Sequence, residues 1–155
     1  MELYLGLGSN LGDRKENLLK ALDLFSCKLG SAPLRVSSFI ETDPVGFDSP
    51  NRFLNAVAVF DCECREDTAE DMAWKILGYA KETELLSGRA EHMIIDDSGK
   101  RIYADRQVDM DILLFGGLRM DCERLKIPHP LMKSRDFVMI PLMEVISDEM
   151  KEMFL

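Results

Sequence analysis

Two acidic residues stand two positions apart in an otherwise apolar run: Asp109 and Asp111. Residues two apart on a β-strand point to the same side, so both carboxylates are predicted to leave one face, roughly 7 Å apart at their Cα atoms. Met110, Ile112 and Leu114 are predicted to face the opposite side and to be buried. Carboxylate oxygens are the ligands that Mg²⁺ prefers. The pair could therefore hold a divalent cation, although a solvated strand face with two acids fits the same pattern.

Several cationic side chains lie near these acids in the sequence. They are Arg89, Arg106, Arg124, His129 and Arg135. A guanidinium group presents a planar fork of donors that matches phosphate oxygens. His129 stands between two prolines, which restrict its backbone. The group could bind a small polyanion if its members converge in space, whereas isolated arginines are more often surface residues or partners in structural ion pairs.

An aromatic residue and an amide share another predicted strand face, at Phe53 and Asn55. Stacking plus paired hydrogen bonds could hold a flat heterocycle there, and a core Phe beside a structural Asn is the alternative. The glycine-rich segment 6–12 matches neither of the common phosphate-binding glycine motifs. Gly8 and Gly12 could supply tight turns or allow another group to approach closely.

Hydrophobic periodicity predicts the elements that must position these residues. Predicted strands cover 3–8, 34–42, 53–62 and 108–115, and predicted helices cover 13–29, 67 or 68 to 88, 129–133 and 138–146. The order β-α-β-β-α-β with C-terminal helical or strand additions predicts a ferredoxin-like α+β fold, with an antiparallel sheet and both main helices on one face. The 155 residues are expected to form a single domain, 1–155.

Composition excludes several classes of protein. The net charge of −9 argues against nucleic-acid coating and against binding to anionic membranes. The segment from Arg89 to Arg135 is nevertheless slightly basic, at +1. The four cysteines are too few and too scattered for a disulfide framework, and the sequence has neither a signal-peptide pattern nor a membrane-spanning run. We expect free thiols and a cytoplasmic protein.

Six segments occur in a specific order and spacing. They are Gly8-Ser9-Asn10-Leu11-Gly12-Asp13-Arg14, Ser37-Ser38-x-x-x-Thr42-x-Pro44-x-Gly46, Phe53-Leu54-Asn55-x-Val57, Glu84 with Gly88-Arg89, Arg106-x-x-Asp109-x-Asp111-Ile112-Leu113, and Pro128-His129-Pro130-x-Met132-x-x-Arg135-x-Phe137-Val138. The set runs from Gly6 to about Pro141 and resembles the 6-hydroxymethyl-7,8-dihydropterin pyrophosphokinase family of folate biosynthesis.

The resemblance implies an ATP-dependent diphosphokinase that moves the β,γ-pyrophosphoryl group of ATP to the hydroxymethyl oxygen of the pterin and releases AMP. It implies two Mg²⁺ ions on Asp109 and Asp111, with ATP and the pterin as small-molecule substrates. We expect a monomer that binds neither nucleic acid nor membranes. Catalytic roles are implied for Arg89, Arg106, Asp109 and Asp111. Contacts to ATP are implied for Glu84, Arg89, Arg106, Ile112, Arg124, His129 and Arg135. Contacts to the pterin are implied for Thr42, Pro44, Val45, Phe53, Asn55, Tyr103 and Phe137.

The chain departs from the family pattern in one segment. Glu91 stands where the family usually has a second Arg, Tyr103 replaces a Trp, and the loop 91–105 is longer than usual. We expect this loop still to close over ATP as a lid. The departures also leave open a non-catalytic ferredoxin-like module that binds a nucleotide or pterin. A nucleotidyltransferase is a further alternative, which the separation of 100 residues from Ser9 to Asp109 disfavours.

Overall fold

The computed structural model describes residues 1–45, 49–64, 67–88 and 107–155. The predicted order of elements is confirmed. The elements are β1 (Glu2–Ser9), α1 (Arg14–Leu29), β2 (Arg35–Val36), β3 (Ile40–Thr42), β4 (Phe53–Asp61), α2 (Ala69–Leu86), β5 (Asp109–Phe115), β6 (Met120–Asp121), β7 (Lys126–Ile127), a 3₁₀ turn (Met132–Ser134), α3 (Asp136–Val145) and α4 (Asp148–Phe154).

The main sheet is antiparallel and has the order β2-β4-β1-β5, with β3 also paired to β4. This arrangement confirms the ferredoxin-like α+β fold with C-terminal additions. The strand predicted over 34–42 is split into β2 and β3. The hydroxyl of Ser37 accepts the backbone N–H of Val57 at 2.8 Å, so a side chain replaces a backbone carbonyl in the ladder where the strand breaks.

Both main helices begin and end at the predicted signals. Asp13 caps α1 by accepting the backbone N–H of Glu16 at 3.2 Å, and Gly30 ends it with a φ of +79°. Of the two candidate caps for α2, Thr68 is the one that accepts a backbone N–H, from Asp71 at 3.1 Å. The apolar sides of α1 and α2 pack with the same face of the sheet, where they form one core cluster.

The opposite face of the sheet is covered at one end by α3 and α4. Three residues pair across β4, β1 and β5 at this end, and we call them the closed row: Val59, Tyr4 and Leu114. Their side chains are buried in a second cluster with Leu142 and Phe154. An ion-pair network ties the helices to this end of the sheet.

Glu2 is the centre of that network. It accepts from the Tyr4 hydroxyl at 2.5 Å, from Arg35 at 2.7 Å and from the Ser147 hydroxyl at 2.8 Å. The backbone N–H of Ser147, just before α4, donates in turn to the Tyr4 hydroxyl at 3.1 Å. Burial alone would raise the pKa of Glu2, but these donors together lower it. The network therefore favours an ionised Glu2.

Two predictions about local structure were wrong. Leu114 packs with α3 rather than with Met110 and Ile112, because the register of β1 with β5 shifts between Tyr4 and Leu5 and a β-bulge inserts Leu113. The helix predicted over 129–133 is instead a loop that leads into the 3₁₀ turn. The helix predicted over 138–146 corresponds to α3, and α4 was not predicted.

All four cysteines are free, as predicted. Burial raises the pKa of the Cys62 thiol to about 11, so it stays protonated at neutral pH. No helix within the described ranges is both long enough and apolar enough to cross a membrane.

Candidate active site

The uncovered end of the α3-bearing sheet face forms the floor of a cavity. Two further rows follow the closed row across the same three strands. The middle row is Val57–Gly6–Asp111, and the open row is Asn55–Gly8–Asp109. The predicted placement of Asp109 and Asp111 on one strand face is therefore observed, opposite Met110 and Ile112.

The cavity contains about 700 Å³ of space that opens to solvent. Walls come from the segment after β3, from the 128–135 region and from the start of α3. Most of the predicted site residues that the structure describes meet there: Thr42, Val45, Phe53, Asn55, Asp109, Asp111, His129, Arg135 and Phe137.

Other predicted residues lie away from the cavity that the described residues form. The side chain of Ile112 is buried on the α1/α2 face, so only its backbone could reach a ligand. Glu84 is 2% exposed within α2, and Arg124 is exposed between β6 and β7. Pro44 is half-buried between Asp43 and Val45, which do line the cavity.

A further set of predictions falls outside the described residues. It comprises Arg89, Glu91, Tyr103, Arg106 and the lid proposed over 91–105.

Several cavity residues were not singled out from the sequence. Gly6, Asp43, Leu113 and Val138 also line it. Gly6 had a usable signal, because a glycine inside a strand often marks a close approach by another group. Leu113 lies two residues after Asp111, so period-two alternation already places it on the cavity face.

Asn55 is oriented by its neighbour Thr42. The Asn55 Nδ2 donates to the Thr42 Oγ1 at 2.6 Å. The Asn55 Oδ1 lies beside Gly8, only 3.2 Å from where a Cβ on that glycine would stand. This arrangement leaves an acceptor oxygen at the cavity floor, which suits a ligand that offers an N–H donor.

The segment that carries Thr42 and Val45 is held at its base by ion pairs. Arg52 donates to Asp43 at 3.2 Å and to Glu41 at 3.4 Å, and Arg14 at the start of α1 also pairs with Glu41. These contacts connect the two ends of the 43–52 loop to the sheet and to α1. We call these four residues the loop clasp.

His129 is fixed at the cavity wall by two backbone contacts. Its N–H donates to the Leu113 carbonyl at 2.9 Å, and its Nδ1 accepts the N–H of Leu131 at 3.2 Å. The neutral ring therefore carries its proton on Nε2. Burial first and the Arg135 guanidinium second lower the pKa of His129, against an opposing effect of Asp109. The resulting group is a neutral Nε2–H donor near a cation and a carboxylate.

Arg135 is positioned by an aromatic ring. Its guanidinium carbon stands 5.5 Å from the centre of the Phe137 ring. A cation–π contact of this kind restrains a long side chain without using its donors. The guanidinium can therefore offer its N–H groups to a polyanion in the cavity.

The donor set for a metal consists of two carboxylates. Asp109 and Asp111 are partly buried and line the cavity, and the described residues contain no group of three His, Cys, Asp or Glu side chains placed to hold a metal. Mg²⁺ commonly uses one or two carboxylates and takes its other ligands from water and substrate phosphates. Asp109 and Asp111 fit a magnesium site of that kind rather than an all-protein cage.

Comparisons with known proteins agree with this architecture. The family model described as 7,8-dihydro-6-hydroxymethylpterin-pyrophosphokinase matches residues 4–147. The 2-amino-4-hydroxy-6-hydroxymethyldihydropteridine pyrophosphokinase of Porphyromonas gingivalis is 39% identical over 144 residues, which cover 92% of this chain and 89% of that protein. The protein of the same name from Bacillus subtilis is 32% identical over 149 residues, covering 96% of this chain and 80% of that protein.

A longer relative matches the same stretch. The folic acid synthesis protein FOL1 of Dictyostelium discoideum is 31% identical over 144 residues, which are 92% of this chain but 19% of that protein. The match of the family model over most of the chain, together with near full-length relatives above 30% identity, establishes that this chain belongs to the 7,8-dihydro-6-hydroxymethylpterin-pyrophosphokinase family of enzymes.

Proposed function

We propose that the protein transfers the β,γ-pyrophosphoryl group of ATP to the hydroxymethyl oxygen of 6-hydroxymethyl-7,8-dihydropterin and releases AMP. The open row, Asn55–Gly8–Asp109, is the observation that carries the proposal. It supports the proposal because an amide and a carboxylate lie on one floor of paired strands, two strand spacings or about 10 Å apart. A chain of this family needs those two groups at the two ends of one substrate.

The pterin lies at the Asn55 end of the cavity in this proposal. Phe53 and Phe137 line the cavity and supply aromatic faces between which a flat ring can stack. The Asn55 Oδ1 accepts an N–H of the ring, and the backbone from Thr42 to Val45 reads the rest of its polar edge. The loop clasp holds that backbone in place.

The triphosphate lies at the Asp109 end. Asp109 and Asp111 would hold Mg²⁺, two ions by the family resemblance, and the bound metal would neutralise charge on the phosphates. Arg135 and the Nε2–H of His129 donate to phosphate oxygens. The hydroxymethyl oxygen attacks the β-phosphorus. The bond between the β-phosphorus and the oxygen that links it to the α-phosphorus breaks, and AMP leaves with that oxygen. Catalysis then consists mainly of positioning and charge neutralisation.

The remaining contacts are assigned by the family resemblance. Glu84 binds near the ribose, the backbone of Ile112 binds adenine, and Arg124 contacts the nucleotide. Arg89, Arg106 and Tyr103 complete the set from outside the described residues. The side-chain burial of Ile112 is compatible with a backbone contact alone.

A product assay tests the reaction. The protein is mixed with Mg-ATP and 6-hydroxymethyl-7,8-dihydropterin, and the nucleotides are separated by chromatography, with a pterin-free mixture as the control. Pterin-dependent AMP is the expected product. Pterin-dependent ADP would make the protein an ordinary kinase. The absence of any nucleotide product, with pterin binding intact by calorimetry, would overturn catalysis in favour of a binding module.

A further inference from the structure

We infer that Gly8 is a specificity-determining residue. Because Gly8 has no side chain, the flat heterocycle can lie over it, between Asn55 and the carboxylates. The inference rests on the proposed function and adds to it a residue that selects the substrate by shape. A glycine offers no side-chain chemistry, so the role of Gly8 lies in the space above it and in its place in the sheet.

The groups around Gly8 leave little room for a side chain. A Cβ built on Gly8 would lie 3.2 Å from the Asn55 Oδ1 and 3.5 Å from the Phe53 Cδ1. Asn55 and Phe53 are the side chains proposed to read and stack the ring. Both side chains lie next to the glycine. A larger residue at this position would contact the amide oxygen of Asn55 first.

The backbone does not explain this glycine. The glycines with a positive φ are 12, 30, 88 and 116 within the described residues, so Gly8 has a conformation that other residues adopt. It lies inside β1, where β-branched and aromatic residues are favoured and glycine weakens the strand. A glycine at this position therefore has its reason above the sheet rather than in the chain.

Gly6, two residues earlier on the same strand face, provides a contrast. The three heavy atoms nearest to a Cβ on Gly6 would all belong to Leu113, with its Cδ2 at 3.3 Å. Leu113 thus covers Gly6, whereas the neighbours of Gly8 are the proposed ligand-reading groups. The two glycines differ in what covers them, not in where the strand places them.

The geometry of the open row defines the ligand. Gly8 is paired directly with Asn55 on one side and with Asp109 on the other. A ligand that touches both ends must span about 10 Å across the strands and pass over the middle position. A fused bicyclic ring with a one-carbon hydroxyl arm has about this length. The pterin of the proposed function, a planar bicycle with an N–H donor at one end and the reacting hydroxyl at the other, fits this span.

The test compares Gly8→Ala and Gly8→Val with Gly78→Ala as the control, because Gly78 is exposed in α2 and a Cβ there would meet nothing within 4 Å. Initial rates of AMP formation give separate KM values for the pterin and for ATP. Gly8→Ala is expected to raise the KM for the pterin about tenfold, equivalent to about 1.4 kcal/mol, with the KM for ATP within about twofold. Gly8→Val should raise the KM for the pterin further, and Gly78→Ala should leave it unchanged.

Two outcomes separate the inference from the proposed function. An unchanged pterin KM in Gly8→Ala, or an equal rise in Gly78→Ala, would overturn the inference while the wild-type protein still forms AMP. A wild-type protein that forms no pterin-dependent AMP would instead overturn the proposed function.

A folding defect is handled by a double variant. If Gly8→Ala lowers the melting temperature, it should lower it less in an Asn55→Ala background than in the wild type, because the conflict is with that side chain. An equal loss in both backgrounds would show that the Cβ conflicts with something else, and the inference would fail.

Discussion

The closed row and the open row are built from the same three strands and face the same side of the sheet, yet they differ in burial and in residue type. Val59, Tyr4 and Leu114 are fully buried under α3 and α4. Four residues further along β1, that strand contributes Gly8 rather than Tyr4, and its partners are an amide and a carboxylate. One end of the face therefore provides packing, and the other provides a floor with polar groups.

A small sheet can carry both tasks because its two ends are covered differently. The closed end holds the strands and α3 in fixed register, through buried aliphatic contacts and the Glu2 network. The open end can then leave cavity volume and carboxylates on rigid strands, where positions are defined better than on loops. Stability and chemistry should accordingly respond to different substitutions.

The largest expected effect is on catalysis at the open end. Asp109→Ala should lower the rate of AMP formation by about 10³-fold or more, because it removes a proposed metal ligand. The melting temperature should change little, since the carboxylate is partly exposed at the cavity. Asp121→Ala is the matched control, as Asp121 is an exposed strand aspartate in β6 paired with Lys126. Loss of folded protein in Asp109→Ala would contradict the view that the open end serves chemistry and the closed end serves stability.

The reverse effect is expected at the closed end. Leu142 in α3 is fully buried, so Leu142→Ala should lower the free energy of unfolding by about 2–5 kcal/mol. The turnover of the folded fraction should stay near the wild-type value. Met143→Ala, on the next and exposed residue, should cost less than about 0.5 kcal/mol. Urea unfolding and activity assays at low denaturant give both quantities, and equal costs in the two variants would contradict the assignment.

A smaller, pH-dependent effect is expected in the Glu2 network. Glu2→Gln keeps the shape and removes the charge, so it should cost about 1 kcal/mol at pH 7. The pKa of Glu2 is below its ordinary value of 4.5 in the folded protein. The stabilisation is therefore complete above that value and is lost as the pH falls through the folded pKa.

Melting temperatures of the wild type and Glu2→Gln between pH 7 and pH 3 check this dependence. Their difference should shrink below about pH 4.5 as Glu2 takes up a proton. A difference that stays constant down to pH 3 would show that the charge of Glu2 is not what stabilises the closed end. Activity at pH 7 should not change.

The smallest expected effect lies between the two ends, at the loop clasp. Glu41→Gln weakens its pairs with Arg14 and Arg52, which are largely exposed and contribute little to stability. The KM for the pterin should rise about twofold to threefold, because the backbone around Thr42 becomes less well positioned. Lys75→Gln removes an exposed ion pair on α2 and serves as the control. An unchanged KM in Glu41→Gln would leave the clasp a surface feature only.

The sequence predicted the fold well wherever a local signal exists. Period-two alternation placed Asp109 and Asp111 on one strand face, and the caps of α1 and α2 follow from Asp13, Gly30 and Thr68. The ordered motifs predicted the family, and the structure brings many of their residues into one cavity. The roles of those residues remain predictions.

What the sequence did not predict depends on partners distant in the chain. The position of Leu114 follows from a register shift against β1, and an alternating pattern carries no information about such a shift. The break between β2 and β3 depends on the Ser37 hydroxyl meeting Val57. The seven-residue α4 has too little apolar periodicity to be recognised, and it is held by Ser147 and by packing of Met150 and Phe154.

The central place of β1 has a consequence for the order in which the protein is made. The open row joins residues 8, 55 and 109, so its three members leave the ribosome at widely separated times. Pairings of such high sequence separation form slowly, since a long loop must close before each contact forms. Until β5 has been synthesised and docks along β1, neither carboxylate of the proposed metal site is in place at the cavity. Ligand binding at this cavity would therefore report completion of the fold.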